Sequence, residues 1–172
     1  RPAGAQHLGG ALDADEARQA HGAASAGDDA QIGFGLTGEH DFDGRDCFLA
    51  LQMLREAGEL GLRVVKNVPI YRLEHALGVG LRSGFGDEWL RIGNVKMFAD
   101  GALGSRTAAM IAPYEGEPDN RGIVVTDKEE MLDNARRAVA GGLGLTVHAI
   151  GDRANHDVLD VYEFLRREEP PT

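Results

Sequence analysis

The chain has 172 residues, 42% of them hydrophobic, and a formal net charge of −10, which suits a packed domain or part of a larger one and excludes wholesale disorder. The acidic balance argues against nucleic-acid binding, which needs a basic face, and no apolar run approaches the ~20 residues of a membrane span or reads as a secretory leader. Cys47 is the one cysteine; it rules out an intrachain disulfide and fits a reducing compartment, so a cytoplasmic location is expected.

Residues 1–34 are rich in alanine and glycine, and DADEARQAHGAASA, from Asp13, reads as a short helix with Asp13 as its N-cap. From residue 35 a regular alternation begins. LTGEHDF (36–42) reads as a strand, and FLALQMLREAGEL follows with Phe48, Leu51 and Leu54 at helical spacing and Gly61 as its stop. LRVVKNV (62–68) is the next strand, before Pro69, and YRLEHALGVGLR is a weaker helix interrupted by glycines. IGNVKMFA (92–99) is a third strand, followed by a polar loop through PYEGEPDNRG. Thr126 with Glu129 forms a capping box for the helix TDKEEMLDNARRAVAGG, LTVHAI (145–150) is a fourth strand, and NHDVLDVYEFLRR is a final helix.

This alternation predicts an α/β fold with about four parallel strands and helices outside the sheet. The strands are near-continuous apolar runs, as expected where both faces are covered. A doubly wound sheet and a (β/α)8 barrel share this grammar, and four units make only half of a barrel that needs about 250 residues. Both architectures carry their chemistry beyond the C-terminal ends of the strands. Polar residues gather there, at His40 to Asp43, Asp100 to Arg106 and Gly151 to Arg153.

A lysine inside an apolar strand poses a question, because an ammonium is costly to bury without a partner. Strand alternation puts Asn94, Lys96, Phe98 and Asp100 on one face, and Thr146, His148 and Ile150 on one face of the next strand. Taken singly, Lys96 reads equally as an ion-paired or snorkelling lysine, and His148 as a hydrogen-bonded core histidine. Their joint placement near the ends of adjacent strands favours a shared site. Asp100, Arg106 and Asp152 are candidates for orienting substrate or supporting ligands, with a salt-bridged loop and a helix cap as the plain alternatives. The remaining histidines have no partner pattern.

VKMFADGALGSRTAAM, then PYEGEPDNRG, then HAIGDRAN closely resemble the metal-dependent hydrolases of the amidohydrolase superfamily. The resemblance is to the amidohydrolase-3 group with its N-substituted formamide deformylase-like members, and it spans residues 35–172. It implies the central units of a distorted (β/α)8 barrel carrying divalent metal, zinc being the expected ion. Lys96 then corresponds to a lysine that becomes carboxylated and bridges metals, and His148 to a metal-binding histidine. The implied activity is hydrolysis of an amide-type C–N bond of a small molecule by metal-activated water.

The family also uses an HxH pair, a further histidine and an aspartate that this sequence lacks. The reading is thus the middle half of a barrel, expected to be inactive alone and to self-associate through its exposed edges. Two rivals are a Schiff-base lysine barrel enzyme and a non-catalytic α/β binding or assembly module.

Overall fold

The computed structural model describes residues 30–168. The helix expected from Asp13 lies outside those residues. Within them run β1 (Gly38–Asp41), α1 (Arg45–Ala57), β2 (Arg63–Pro69), α2 (Leu73–Gly78), β3 (Leu90–Phe98), α3 (Lys128–Ala140), β4 (Leu145–His148) and α4 (Asp152–Glu168). The parallel strands form one four-stranded sheet in the order β1-β2-β3-β4. Each strand lies beside its neighbour in the chain, as in a (β/α)8 barrel; no switch point reverses the order. The fold is α/β and corresponds to part of such a barrel.

One compact unit runs to Val65 and includes Asp87–Leu90. Its core is Leu51, Leu54, Leu60, Leu62 and Val64, with Cys47, Trp89 and Leu90 packed against it. The helical spacing of Leu51 and Leu54 turns both toward this cluster. α1 ends earlier than Gly61, at Gly58, whose φ of 74° lets its cap N–H groups reach the carbonyls of Leu54 and Arg55. Glycine adopts that left-handed conformation without a Cβ penalty. Gly61 answers to packing instead, because a Cβ there would lie 2.5 Å from Ile32 Cδ1. Asp87 secures the short segment that returns to this core. Its carboxylate accepts from the N–H of Trp89 at 2.8 Å and of Leu90 at 3.0 Å, and pairs with Arg55 at 2.8 Å.

The second unit comprises Lys66–Gly86 and Arg91 onward. Val95, Met97 and Ala99 form the buried face of its β3 segment. α3 buries Met131, Ala135 and Ala138, and α4 buries Ala154, Val158, Val161 and Leu165. Both sets repeat at three to four residues, so each helix has one apolar face, and the two helices pack together. The cap of α3 is one residue later than the expected Thr126. Asp127 takes the position and its Oδ1 accepts from Glu130 N at 2.9 Å. A carboxylate is the stronger acceptor and also complements the helix dipole, which accounts for the shift. No helix of the described residues is long and apolar enough to cross a membrane.

Two outcomes follow for the first unit. Leu54→Ala removes a side chain with no solvent exposure and should lower the unfolding free energy by about 2–5 kcal/mol in urea titration. The Arg55 side chain, then the N–H groups of Leu90 and Trp89, pull the Asp87 pKa from 3.8 down to about 2. A folded-state pKa below the unfolded one stabilises above the unfolded value, and that contribution fades as pH falls through the folded value. Asp87→Asn should therefore cost stability at neutral pH and flatten the acid limb of the stability profile between about pH 4 and pH 2.

Candidate functional site

β3 presents Asn94, Lys96 and Phe98 on the face opposite Val95, Met97 and Ala99. The β3–β4 register sets Lys96 beside Thr146 and Phe98 beside His148. Register partners in a parallel pair share a face, so Lys96 and His148 point to the same side of the sheet. They meet on one phenyl ring. Lys96 Nζ stands 4.8 Å from the Phe98 centroid, and the His148 ring centroid is 5.2 Å from it, tilted by 39°. The aromatic face attracts the ammonium, while partial burial lowers the Lys96 pKa.

Next to this trio lies a polar group that the sequence reading did not single out. Asn67 of β2 is fully buried, and its Oδ1 accepts from Asn94 N at 3.0 Å and from Thr146 Oγ1 at 3.4 Å. Asn94 Nδ2 in turn donates to Thr146 Oγ1 at 3.1 Å. The amide therefore ties β2, β3 and β4 together on the Lys96 side. An asparagine within the run VVKNV is the same kind of signal as the lysine within NVKMF.

Asp100 is 1% exposed and lies where the loops after β3 and β4 meet. Its Oδ2 accepts from Ala109 N at 2.8 Å and Gly151 N at 2.7 Å, and its Oδ1 from Ile150 N at 3.0 Å. Such a carboxylate has little capacity left for substrate. Gly151 is confined by the same junction, since a Cβ there would fall 1.8 Å from the Ala109 carbonyl oxygen. His148 Nε2 lies 2.8 Å from the Gly101 carbonyl oxygen and 3.6 Å from Asp100 Oδ1.

The structure does not gather the other candidates in the same way. Arg106, at a φ of 54°, pairs with Glu117 inside its own loop and is largely exposed. Asp152 opens α4 and its Oδ1 accepts from Ile111 N and Arg153 N, each at 2.8 Å. Both side chains hold loops. In the other unit, His40 stacks on Phe42 with centroids 6.4 Å apart. Ligand atoms of Asp41, Asp43 and Cys47 lie within 4.8 Å of one another, but Cys47 Sγ already donates to Asp41 Oδ1 at 3.4 Å.

The Amidohydrolase family (Amidohydro_3) matches residues 3–172. The chain belongs to the amidohydrolase family. A metal-dependent hydrolase of Pyrococcus horikoshii superposes with a TM-score of 0.79 at 29% identity, covering 87% of this chain and 31% of that one. A second, from Pyrococcus furiosus, gives 0.79 at 30% identity over 86% of this chain and 32% of its own. Protein LONG AFTER FAR-RED 3 of Arabidopsis thaliana is 45% identical over 76 residues, 44% of this chain and 13% of that protein. The chain thus spans about a third of the solved metal-dependent hydrolases it matches.

The three lysines of this family member have distinct surroundings. Asp160 raises the Lys128 pKa, whereas desolvation lowers that of Lys96. Competitive acetylation across a pH series, read by mass spectrometry, should find Lys96 gaining reactivity at lower pH than Lys128. The reverse order would contradict the desolvated setting of Lys96.

Proposed function

We propose that Lys96 and His148 are metal ligands in an amidohydrolase that cleaves an amide-type C–N bond of a small molecule. The observation that supports this most is their common face at the C-terminal ends of two adjacent barrel strands, within a chain of this family. The donor chemistry fits a divalent metal such as zinc. Neutral imidazole is a good zinc ligand. Lys96 would become an oxygen ligand once its neutral amine attacks the carbon of CO2: the N–C bond forms, one C=O π bond breaks with its electron pair going to oxygen, and the nitrogen gives a proton to water, leaving an anionic carbamate. Desolvation raises the neutral fraction that this step requires. A bound metal would supply Lewis-acid polarisation of the carbonyl and acidify a water.

Two donors fall short of the roughly four that zinc normally takes, so the site is completed by residues beyond this pair. The substrate belongs to the N-acyl or N-formyl amines, in line with the formamide deformylase-like resemblance, and the single cysteine supports a cytoplasmic location. The isolated 172-residue chain holds metal weakly and turns over no substrate. β1 and β4 are the edges of its sheet, so it self-associates.

A Schiff-base reading draws on the same lowered Lys96 pKa, since a neutral amine also attacks ketones. Borohydride trapping of a keto compound on Lys96 would favour that reading. Metal analysis after dialysis, mass spectrometry for a carboxylated lysine and assays on N-formyl and N-acyl amines test the first. The isolated chain should give substoichiometric metal and no turnover. In a longer protein containing it, Lys96→Ala and His148→Ala should each cut activity roughly a hundredfold or more and reduce bound metal. Full metal content in both variants, or stoichiometric metal with turnover by the isolated chain, would overturn the assignment.

A further inference from the structure

We infer that Asp100 is a positioning residue for His148, acting with the Gly101 carbonyl to fix which ring nitrogen carries the proton and which keeps its lone pair. The inference rests on the proposed metal reading only for the use to which the ring is put. A carbonyl oxygen has no proton to give, so the 2.8 Å contact between His148 Nε2 and Gly101 O favours the proton on Nε2. A lone pair on Nε2 would instead face two oxygens, that carbonyl and Asp100 Oδ1 at 3.6 Å. At 3.6 Å the carboxylate acts through its charge and not through a direct hydrogen bond.

The carboxylate cannot turn away from the ring. The N–H groups of Ala109, Ile150 and Gly151 hold both of its oxygens, and with 1% exposure no water shell competes for it. Two of those donors, Ile150 and Gly151, directly follow the β4 segment that carries His148. The group that biases the imidazole is thus fixed to the imidazole's own strand end. Phe98, against the ring at 5.2 Å, limits its swing on the other side. The neutral ring therefore has its lone pair on Nδ1.

The test is nitrogen NMR of the metal-free chain labelled with 15N-histidine, at about pH 9, where an ordinary imidazole is neutral. His148→Gln assigns the His148 signals. The Nε2–H form should outnumber the Nδ1–H form by roughly tenfold or more, from the carbonyl hydrogen bond and the nearby carboxylate charge acting together. Asp100→Asn and Asp100→Ser, each checked for native circular dichroism, should move His148 toward a mixture of tautomers. An unchanged ratio in either folded variant, or Nδ1–H dominance in the wild type, would overturn the inference. If neither variant folds, the size of the wild-type ratio decides: roughly tenfold or more supports the inference, because a neutral carbonyl acceptor alone gives less, and a smaller ratio overturns it. Because no metal is present, failure of His148 to bind metal would strike the proposed function and leave this result intact.

Discussion

Between β3 and β4 the hydrogen-bond register sets Phe98 opposite His148 and Lys96 opposite Thr146. Side chains on a strand alternate, so a slip of one residue would send Lys96 into the apolar layer and bring Met97 out of it. Burial makes that slip expensive. Val95 and Met97 have no exposed surface, and an ammonium in their place would lie unsolvated among aliphatic groups. Asn67 reinforces the same register from β2, because its oxygen accepts from a β3 main-chain N–H and a β4 hydroxyl together. The position of every candidate ligand therefore rests on ordinary packing and on one buried amide.

Much of this was legible in the sequence because period-two and period-3.6 patterns report burial directly. Leu51 and Leu54 declared their helix, and the apolar runs declared parallel strands. The ends were harder to read. Gly58 and Gly61 are equally permissive as residues, and only packing distinguishes the helix stop from the glycine pressed against Ile32. Thr126 and Asp127 are both good caps, and the choice depends on which reaches Glu130 N.

At the site, a lysine and a histidine stood out as polar groups in apolar strands. Asn67 obeys the same rule, but an amide carries no titrating chemistry to mark it in the sequence. The duties of Asp100, Arg106 and Asp152 are set by partners distant in sequence. Spacing along the chain cannot distinguish a carboxylate filled by Gly151 N from one open to substrate.

Family membership and geometry answer different questions. The match over residues 3–172 assigns the chain to the amidohydrolases, while the register of β3 and β4 shows only that Lys96 and His148 share a face. The solved relatives are about three times longer than the aligned region. A site at the mouth of a barrel draws on several strands, so a shared face of two residues is one part of such a site at most.

The junction around Asp100 has one more implication. Its three anchors are main-chain N–H groups, and every amino acid except proline supplies that group. A changed side chain at 109 or 150, proline apart, withdraws no donor from the carboxylate; the exposed position 150 has room for exchange, the buried Ala109 only for a small side chain, and position 151 is sterically bound to remain glycine. The exposed residues of the loop that follows β3, such as Leu103 and Ile111, can thus vary in sequence over an unchanged support, and new surfaces can arise there while the strand ends keep their geometry.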